Sequence, residues 1–528
     1  MKIFDYIIVG GGSAGCVLAN RLSRDPKTSV LLVEAGPADK DILIHIPRGI
    51  GKMLTPGNRH IYVYEARKGG NQGIDVWLKG RTLGGSSSVN GMIYARGQAE
   101  DYDRWAAQGC EGWGWDEIGR CFREIEGHQL GASDTRGGSG PLGVSVLAAK
   151  TDLTEAIIGA GEQMGLARVG DVNETPPGGG IGYAAQTIAN GRRMSAARAF
   201  LKPALKRPNL TVMIDTEVRR ILFEGTRAVG VRVLAAAGEA DVRVGREIIL
   251  SAGALQTPKL LQLSGVGPAR HLQMLGVPVV ANRSGVGANL REHLNMPLKY
   301  RAARGAFGPD FQGARLVWSV LRYLAGGGGP MSHAAQEVVG FARSQPAYPQ
   351  PDIQLGFTLL SWDRKPGRVT VDPGHTLTVH NYFTRPKSQG VCRIQSADPA
   401  SDLLIDANYL ADEEDRRHSI DCVRFAAGLM DQPALTALQT RYVGPAVDLG
   451  SDESVLGLLR EHGRSAFHVA GTCRMGSDAA SVVDPQLRVR GVSGLRVMDT
   501  SVMPDLTSGN TNAPTMAMAW RAAELILS

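Results

Sequence analysis

Several marks of secreted, membrane-spanning and metal-binding proteins are missing from this sequence of 528 residues. No apolar run reaches the length of a transmembrane helix, and the start has neither the basic segment nor the cleavage site of a signal peptide. The six cysteines are scattered and form no C-x-x-C pair, which favours a reducing compartment and argues against a zinc site. We therefore expect a cytoplasmic protein without a bound metal, and peripheral contact with the membrane stays open.

Strong charge of one sign is also missing. The formal net charge is +7 and no segment is rich in lysine or arginine, so solvated surface charges are expected and a nucleic-acid partner is not. No internal repeat of solenoid length is present. Glycine, in contrast, is abundant, with 67 residues. The chain is too long for one ordinary hydrophobic core, so two or more domains are expected.

The segment from Asp5 to Glu34 has the most informative pattern. The apolar run Tyr6 to Val9 predicts a buried strand, and Val30 to Val33 predicts a second one, directly before Glu34. A segment of helical periodicity lies between them and opens with glycines at G-x-G-x-x-G spacing, namely Gly10, Gly12 and Gly15. Such glycines let a pyrophosphate approach the backbone, the helix N-terminus attracts its charge, and the acid can bind an adenosine ribose. The segment predicts a dinucleotide site.

Two other interpretations use the same residues. Ser13 lies in a G-x-S-x-G pattern at a strand-to-helix turn, where a hydrolase nucleophile would sit. That fold takes part of its oxyanion hole from a strand well upstream, and only a handful of residues precede the first strand here, so nucleophilic catalysis by Ser13 is not expected. A nicotinamide enzyme is also compatible with the first motif alone.

A β-rich region and a separate domain follow in the middle of the chain. Residues 209–252 predict several strands, and the small residues 251–253 then lead into a helix, as suits a ligand at the carboxyl edge of a sheet. Residues 300–460 differ in character and predict a second domain threaded into the first, with strands at Asp352 to Leu360 and Thr376 to Tyr382.

Two helices of the second half matter for function. The helix predicted from Arg315 to Ala325 has Leu316, Val320 and Leu324 on one face, and we interpret it as core or lid rather than as a membrane-surface helix. The last helix is predicted to begin near Asn512, because asparagine is a good N-cap and proline suits a first helical turn.

Five stretches together carry a resemblance to a known family. They are GGGSAG with Glu34, RTLGGSSSVNGMIYARG, SAGALQTPKLLQLSGVGP, FHVAGTCRMG, and MDTSVMP with SGNTNAPTMAMAWRAAELI. In content and order they resemble the glucose–methanol–choline (GMC) oxidoreductases, and most closely the bacterial choline-dehydrogenase-like branch, which acts on many alcohols. The resemblance implies an α/β fold, in which a Rossmann-like FAD-binding domain with a parallel sheet is interleaved with a substrate domain of antiparallel sheet and covering helices. The flavin-lining stretches argue against a nicotinamide enzyme.

The resemblance also implies domain limits and site residues. The FAD-binding domain would comprise residues 1–40, 76–105, 205–297 and 464–528, and the substrate domain and lid would comprise 41–75, 106–204 and 298–463. The catalytic pair at the flavin ring would be His468 and Asn512. The cofactor-binding residues would be Gly10, Gly12, Ser13, Ala14, Gly15, Glu34, Ala35, Leu83, Gly85, Asn90, Gly91, Met92, Ile93, Val218 and Asp499.

The expected reaction is the FAD-dependent oxidation of a primary alcohol, aliphatic or benzylic, to its aldehyde. His468 would act as the general base and Asn512 would orient the substrate oxygen. The electron acceptor would be oxygen or a quinone-like carrier. Two alternatives on the same scaffold are an FAD-containing lyase resembling hydroxynitrile lyases and a flavin-binding subunit without a substrate.

Two positions depart from the family pattern. Some members attach FAD covalently through a histidine, and Val89 stands at that place, which predicts non-covalent FAD. Glu292 stands where the family usually has aspartate, and the sequence does not indicate the consequence.

Overall fold

The fold is built around a seven-stranded sheet that begins with the first residues of the chain. The computed structural model describes residues 3–55, 57–70, 73–326, 328–365 and 368–528. The strand order in the sheet is Leu210–Met213, Val30–Val33, Ile3–Val9, Gly238–Leu250, Arg227–Ala235 and Glu217–Glu224, with Leu495–Val497 paired to the end of Gly238–Leu250. The apolar strands at its centre are parallel and buried, and Ile7 and Ile8 are fully enclosed. The prediction of a parallel, Rossmann-like sheet is confirmed.

One strand of this sheet is longer than its apolar sequence predicts. The strand Gly238–Leu250 pairs antiparallel with Arg227–Ala235 through its polar first half and parallel with Ile3–Val9 through its apolar second half. Apolar patterning detects only the buried half, because the first half lies in an exposed meander where polar residues are tolerated. The strand leads directly to Ser251–Gly253 at the carboxyl edge of the sheet.

The second large sheet has eight strands and is mainly antiparallel. Its order is Arg441–Tyr442, Leu294–Arg301, Thr376–Phe383, Ile353–Thr358, Val338–Ala342, Gly179–Tyr183 and Ala167–Arg168, with Arg464–Ser465 paired to Leu294–Arg301. The two predicted strands are found here, as Ile353–Thr358 and Thr376–Phe383. Within Thr376–Phe383, alternate residues lie on the same face, which sets Thr378, His380 and Tyr382 side by side.

A smaller four-stranded sheet lies in a region where the sequence does not predict strands. Its order is Val391–Ile394, Leu403–Asp406, Ile61–Arg67 and Ile74–Gly80. The last two strands form a hairpin. Many of their residues are exposed, so the sequence of this stretch is too polar for its strands to be predicted. The remaining strands are short: Glu126–His128, Leu142–Val146, Ala185–Gln186, Ile188–Ala189, Arg192–Arg193, Val266–Gly267, Ala281–Asn282, Trp362–Lys365 and Arg368–Val371.

Helices cover both large sheets. They are Ser13–Leu22, Ile42–His45, Ile50–Met53, Ala99–Ala107, Trp115–Ile125, Asp152–Gln163, Lys202–Ala204, Gly253–Leu263, Ala269–Met274, Gly313–Leu324, Glu413–Met430, Pro433–Thr436, Asp452–His462 and Asn512–Leu527. The first and last of the long helices, Ser13–Leu22 and Asn512–Leu527, pack against each other. The last helix begins at Asn512 as predicted, but Thr511 occupies its N-cap position and makes no side-chain cap bond.

The helix Gly313–Leu324 is not part of the core. It was interpreted as core or lid, but Val317, Trp318, Leu321 and Leu324 are 54–68% exposed, which contradicts the first of these two interpretations. The stripe of Leu316, Val320 and Leu324 is only partly covered, since Leu316 and Val320 are half-buried and Leu324 faces solvent. Periodicity shows that a helix is amphipathic, but it does not show whether another element covers the apolar face.

Two further findings bear on the class of protein. In the part of the chain that the structure describes, no helix combines the length and the apolar character needed to cross a bilayer. All six cysteines are buried and free of disulfides. The domain limits given above remain a prediction.

Candidate active site

A single cavity of about 1030 Å³ joins residues from both ends of the chain. Of the predicted site residues, fifteen contribute to its wall: Gly10, Gly12, Ser13, Ala14, Glu34, Ala35, Gly85, Asn90, Gly91, Met92, Ile93, Val218, His468, Asp499 and Asn512. The other two, Gly15 and Leu83, do not line it. Gly15 lies behind the first loop, and Leu83 packs against Gly11.

The glycine loop after the first strand requires its glycines for close packing. A Cβ on Gly15 would lie 1.9 Å from the carbonyl oxygen of Gly10, so this residue holds the helix Ser13–Leu22 against the loop. Gly85, with φ +52°, brings the second loop so near that a Cβ would be 2.8 Å from Cα of Gly12. The two loops therefore form one backbone wall that a bulky ligand group can approach closely.

Glu34 is held rigidly at the end of its strand. Its carboxylate accepts hydrogen bonds from the backbone N–H groups of Gly11 and Gly36, both at 2.8 Å. Burial raises its pKa to about 7, and the two backbone donors oppose that rise. A buried carboxylate on the cavity wall can accept hydrogen bonds from a ribose, which is the chemistry expected of this position.

Asp499 organises the carboxyl edge of the parallel sheet. Its side chain accepts hydrogen bonds from the N–H of Gly253, the hydroxyl of Thr257 and the N–H of Ser501. It therefore fixes the N-terminus of the helix Gly253–Leu263 to the strand Leu495–Val497 and the turn behind it. Its role here is to shape the wall, and burial raises its pKa.

Two helix N-termini meet at the cavity. The Ser13 hydroxyl donates to Oδ1 of Asn512 at 2.8 Å, which joins the first turn of Ser13–Leu22 to the first turn of Asn512–Leu527. Neither first turn contains an acidic residue. The unpaired N–H groups and positive dipole ends of both helices favour negative charge in the cavity.

His468 also lines the cavity, and the residue before it has an unusual backbone conformation. Phe467 adopts φ +66°, and its carbonyl oxygen accepts a hydrogen bond from Nζ of Lys79 at 2.7 Å. His468 is buried, and burial lowers its pKa well below 6.5, with smaller contributions from the charges of His293 and Lys79. The imidazole is therefore neutral at neutral pH.

Hydrogen bonds on one side of His468 assign its proton to Nδ1. His293 Nε2 lies 2.8 Å from the carbonyl oxygen of Thr384, which can only accept, so His293 donates there. Burial lowers the His293 pKa to about 4, so this ring is neutral and its Nδ1 is an acceptor. His293 Nδ1 lies 2.9 Å from His468 Nδ1, and His468 must therefore donate. Nε2 of His468 is left with its lone pair.

Hydrogen bonds on the other side lead to the same assignment. Tyr382 donates to Oε1 of Gln354 at 2.6 Å, and Nε2 of Gln354 donates to Oδ1 of Asn510 at 3.0 Å. This arrangement turns the Asn510 NH₂ group toward His468, where Nδ2 lies 2.9 Å from Nε2. His468 Nε2 is thus an acceptor in both networks, and it faces the cavity with Asn510 as neighbour.

Glu292 is buried behind His468, and the half-buried Lys79 on the cavity wall is the positive charge that acts on it. Glu292 accepts hydrogen bonds from the backbone N–H groups of His468 and His293 and from the hydroxyl of Ser465. Burial raises the pKa of Glu292 and lowers that of Lys79, and the attraction between the two charges opposes both shifts. The glutamate thus anchors the backbone on which the two histidines stand.

The role of Asn512 at the flavin ring stays a prediction. His468 and Asn512 both line the cavity, but the amide in hydrogen-bond contact with the imidazole is that of Asn510, while Oδ1 of Asn512 accepts from Ser13. Asn510 precedes the last helix, whereas Asn512 is its first residue and faces the glycine loop. Sequence reasoning also missed His293, Gln354 and Tyr382, although His293 directly follows Glu292, which the sequence analysis singled out.

The residues present fit a flavin dinucleotide. One part of the cavity supplies bare backbone, helix N-termini and a buried carboxylate, which suit a pyrophosphate and a ribose. The other part supplies a neutral imidazole and an amide, which suit proton transfer and hydrogen bonding at a redox ring. The backbone at Met92, with φ +62°, also lies on the wall between the two parts.

Comparisons with known proteins agree with this arrangement. The family description "GMC oxidoreductase" matches residues 4–295 with its N-terminal part and 386–519 with its C-terminal part. The chain is 39% identical to an alcohol dehydrogenase [acceptor] of Pseudomonas putida, covering 99% of this chain and 96% of that protein. It is 41% identical to human mitochondrial choline dehydrogenase, covering 99% and 89% respectively.

Among solved structures, pyridoxine 4-oxidase from "Mesorbium loti" superposes with a TM-score of 0.88 at 31% sequence identity, covering 99% of this chain and 98% of that one. Together with the two matching family regions, this likeness extends over both large sheets and the whole cavity. The chain therefore belongs to the GMC oxidoreductases, the family of FAD-dependent enzymes that act on CH–OH donors.

Proposed function

We propose that the protein oxidises a primary alcohol, aliphatic or benzylic, to the aldehyde. The observation that carries this proposal is the single cavity whose wall includes both the N-terminal glycine loop and His468 near the C-terminus. A dinucleotide bound along the loop would bring its redox ring toward the imidazole. FAD, when bound, supplies the acceptor for the hydride that leaves the alcohol carbon.

The proton step is assigned to Nε2 of His468. Because Nδ1 holds its proton against His293, Nε2 carries the lone pair that can take the hydroxyl proton of the alcohol once the alcohol displaces the Asn510 amide from it. Asn512 would donate through its NH₂ group to the alcohol oxygen, while its Oδ1 holds the glycine loop through Ser13. Asn510, whose Nδ2 lies beside the imidazole, is a second amide that could hold the alcohol oxygen next to the base.

The wall contributed by the antiparallel sheet is uncharged. The strands Leu294–Arg301, Ile353–Thr358 and Thr376–Phe383 supply six residues to it: Asn295, Pro297, Thr358, Thr378, His380 and Tyr382. None has a formal charge, since burial lowers the His380 pKa to about 4. These six side chains suit a neutral primary alcohol, while the carboxylates of Asp75 and Glu461 lie elsewhere on the wall, so choline is included in the test below.

The electron acceptor, location and cofactor linkage complete the proposal. We propose oxygen or a quinone-like carrier as acceptor and the cytoplasm as compartment, which the six free, buried cysteines support. We propose that FAD is held without a covalent bond, because Val89, at the place of the linking histidine, has no nucleophilic atom. The cavity wall at this position is a buried aliphatic side chain.

The linkage can be tested by denaturing the holoenzyme with acid. We expect all of the flavin in the supernatant and a colourless pellet, measured by absorbance of both fractions. Yellow colour that stays with the precipitated protein after washing would contradict non-covalent binding.

A second prediction concerns the Asn510 amide. Gln354→Glu keeps the size of the side chain but replaces the Nε2 donor by a carboxylate, so Asn510 should turn and present its oxygen to His468. We expect flavin reduction by alcohol to slow by about 10- to 100-fold, measured by anaerobic stopped-flow absorbance. Gln345→Glu, at an exposed position that bonds only Asp421 among the described residues, is the matched control and should reduce flavin at the wild-type rate.

The proposed activity is tested with a panel of alcohols, including 1-alkanols, benzyl alcohol and choline, each assayed with oxygen and with an artificial quinone. We expect aldehyde formation from the neutral alcohols, and the faster acceptor identifies an oxidase or a dehydrogenase. Aldehyde release from a cyanohydrin while the flavin stays oxidised would instead indicate the lyase. A flavoprotein inactive with every alcohol would contradict the proposal.

A further inference from the structure

The helix Gly313–Leu324 has an apolar face that no described element covers. Val317, Trp318, Leu321 and Leu324 are exposed, and their spacing places them on adjacent rows of the same side. Most of the large apolar side chains elsewhere in the helices are buried, so this cluster is unusual within the fold. Adjacent exposed apolar side chains of this kind mark an interaction site.

Positive charge accompanies the apolar face. The helix sequence GARLVWSVLRYL contains two arginines and no acidic residue. Arg315, Trp318 and Arg322 follow each other at three- and four-residue spacing, so the arginines flank the indole, and both are exposed. A third exposed arginine, Arg192, lies near the end of the helix, because Tyr323 donates to the neighbouring carbonyl oxygen of Gly191.

We propose that this helix docks the enzyme on the surface of a bilayer that contains anionic lipid. Helices that lie in the membrane interface typically have tryptophan and aliphatic side chains on one face and basic residues beside them, as this helix does. The arginines meet the lipid phosphates, and the apolar side chains enter the boundary between head groups and acyl chains. The attachment is peripheral, consistent with the short length of the helix.

The apolar face of this helix is too small to be an interface with a second copy of the same protein. A helix of 12 residues is roughly 18 Å long and about 10 Å wide, so one face covers roughly 200 Å². A stable protein–protein interface needs about 800 Å² on each partner. A bilayer needs no complementary shape, so a small convex patch is sufficient.

The position of the helix relates this surface to the active-site cavity. The helix packs against the turn Pro330–Ser332, which packs against the turn Pro47–Gly49. The next residue, Ile50, lines the cavity. Docking through this helix would therefore bring the side of the molecule that holds the cavity wall near the lipid surface, where apolar alcohols and quinones concentrate.

The test uses the holoenzyme and vesicles of phosphatidylcholine, with or without phosphatidylglycerol. We expect the enzyme to sediment with the phosphatidylglycerol vesicles and bind pure phosphatidylcholine less. Trp318→Ser/Leu321→Ser should weaken binding about tenfold or more, since both side chains would lose their burial. Arg315→Glu should weaken binding to the anionic vesicles selectively. Met274→Ser, at a similarly exposed residue of another helix, is the matched control.

Each variant must retain its flavin and its alcohol turnover with a soluble acceptor, because none of these residues lines the cavity. A second measurement needs no variant: brominated lipid should quench part of the wild-type tryptophan fluorescence, since Trp77, Trp105 and Trp113 are fully buried and Trp318 is 68% exposed. The proposal is overturned if the wild type binds neither kind of vesicle, or if the double variant binds as tightly as the wild type. It is also overturned if sedimentation velocity shows that the protein dimerises through this patch.

Discussion

Replacing His468 by alanine should slow anaerobic flavin reduction by alcohol about 100- to 10,000-fold, the usual contribution of a general base. The variant should still bind FAD, because the imidazole contacts His293 and Asn510, and the phosphate-binding loop lies elsewhere on the wall. The measurement is stopped-flow flavin absorbance at saturating alcohol. Added imidazole should restore part of the rate if the lost atom is the base.

Controls separate this role from general damage. His375→Ala removes another half-buried histidine, whose Nδ1 bonds the carbonyl oxygen of Ala306 outside the cavity, and it should reduce flavin at the wild-type rate. If His468→Ala retained wild-type reduction with full flavin content, the assignment of Nε2 as base would have to be abandoned.

Glu292→Gln should destabilise the fold by about 1–3 kcal/mol, because the half-buried Lys79 ammonium loses its opposing charge and the Ser465 hydroxyl loses its acceptor. The backbone N–H groups of His468 and His293 donate to the other oxygen, Oε1, which glutamine retains. The change is measured as the free energy of unfolding of the holoenzyme, with flavin fluorescence and circular dichroism as independent signals.

The double variant Lys79→Met/Glu292→Gln tests whether the two charges act as a pair. We expect it to be more stable than the sum of the two single losses predicts, since removing both charges also removes the cost of burying them. If the losses simply add, the two charges are not coupled.

The same pair predicts how stability depends on pH. The folded pKa of Glu292 lies above its ordinary value of 4.5, so its contribution to stability falls as pH rises from 4.5 through the raised pKa. The folded pKa of Lys79 lies below its ordinary value of 10.5, so its contribution rises again as pH approaches 10.5. Relative to the double variant, the wild type should be least stable between these limits. A difference independent of pH would contradict the two shifts.

The glycine-loop end of the cavity, where we propose the pyrophosphate binds, could be located from the sequence because its signals are local. A strand, the glycines, a helix, a second strand and Glu34 follow each other within a short segment. The hydrophobic pattern of each strand and of the helix can be recognised in the sequence. The packing of Gly15 and the close approach of Gly85 to Gly12 follow from the same glycine pattern. The long-range order of the sheets followed from the family resemblance rather than from these signals.

The catalytic end could be predicted only in part. A motif identifies a short segment, but the direction of each side chain depends on its backbone, so the sequence could not show that the amide of Asn510 contacts the imidazole while that of Asn512 contacts Ser13. His293, Gln354 and Tyr382 meet His468 and Asn510 across large sequence separations. The exposure of Gly313–Leu324 likewise depends on what the rest of the fold leaves uncovered.

The most direct test of the central claim is one anaerobic mixing experiment. The holoenzyme is mixed with a primary alcohol, unlabelled or deuterated at the carbon that bears the hydroxyl, and flavin absorbance is followed. We expect the flavin to bleach, aldehyde to form in equal amount, and deuterium to slow the bleaching. A flavin that stays oxidised with every primary alcohol that the cavity can admit would contradict the account.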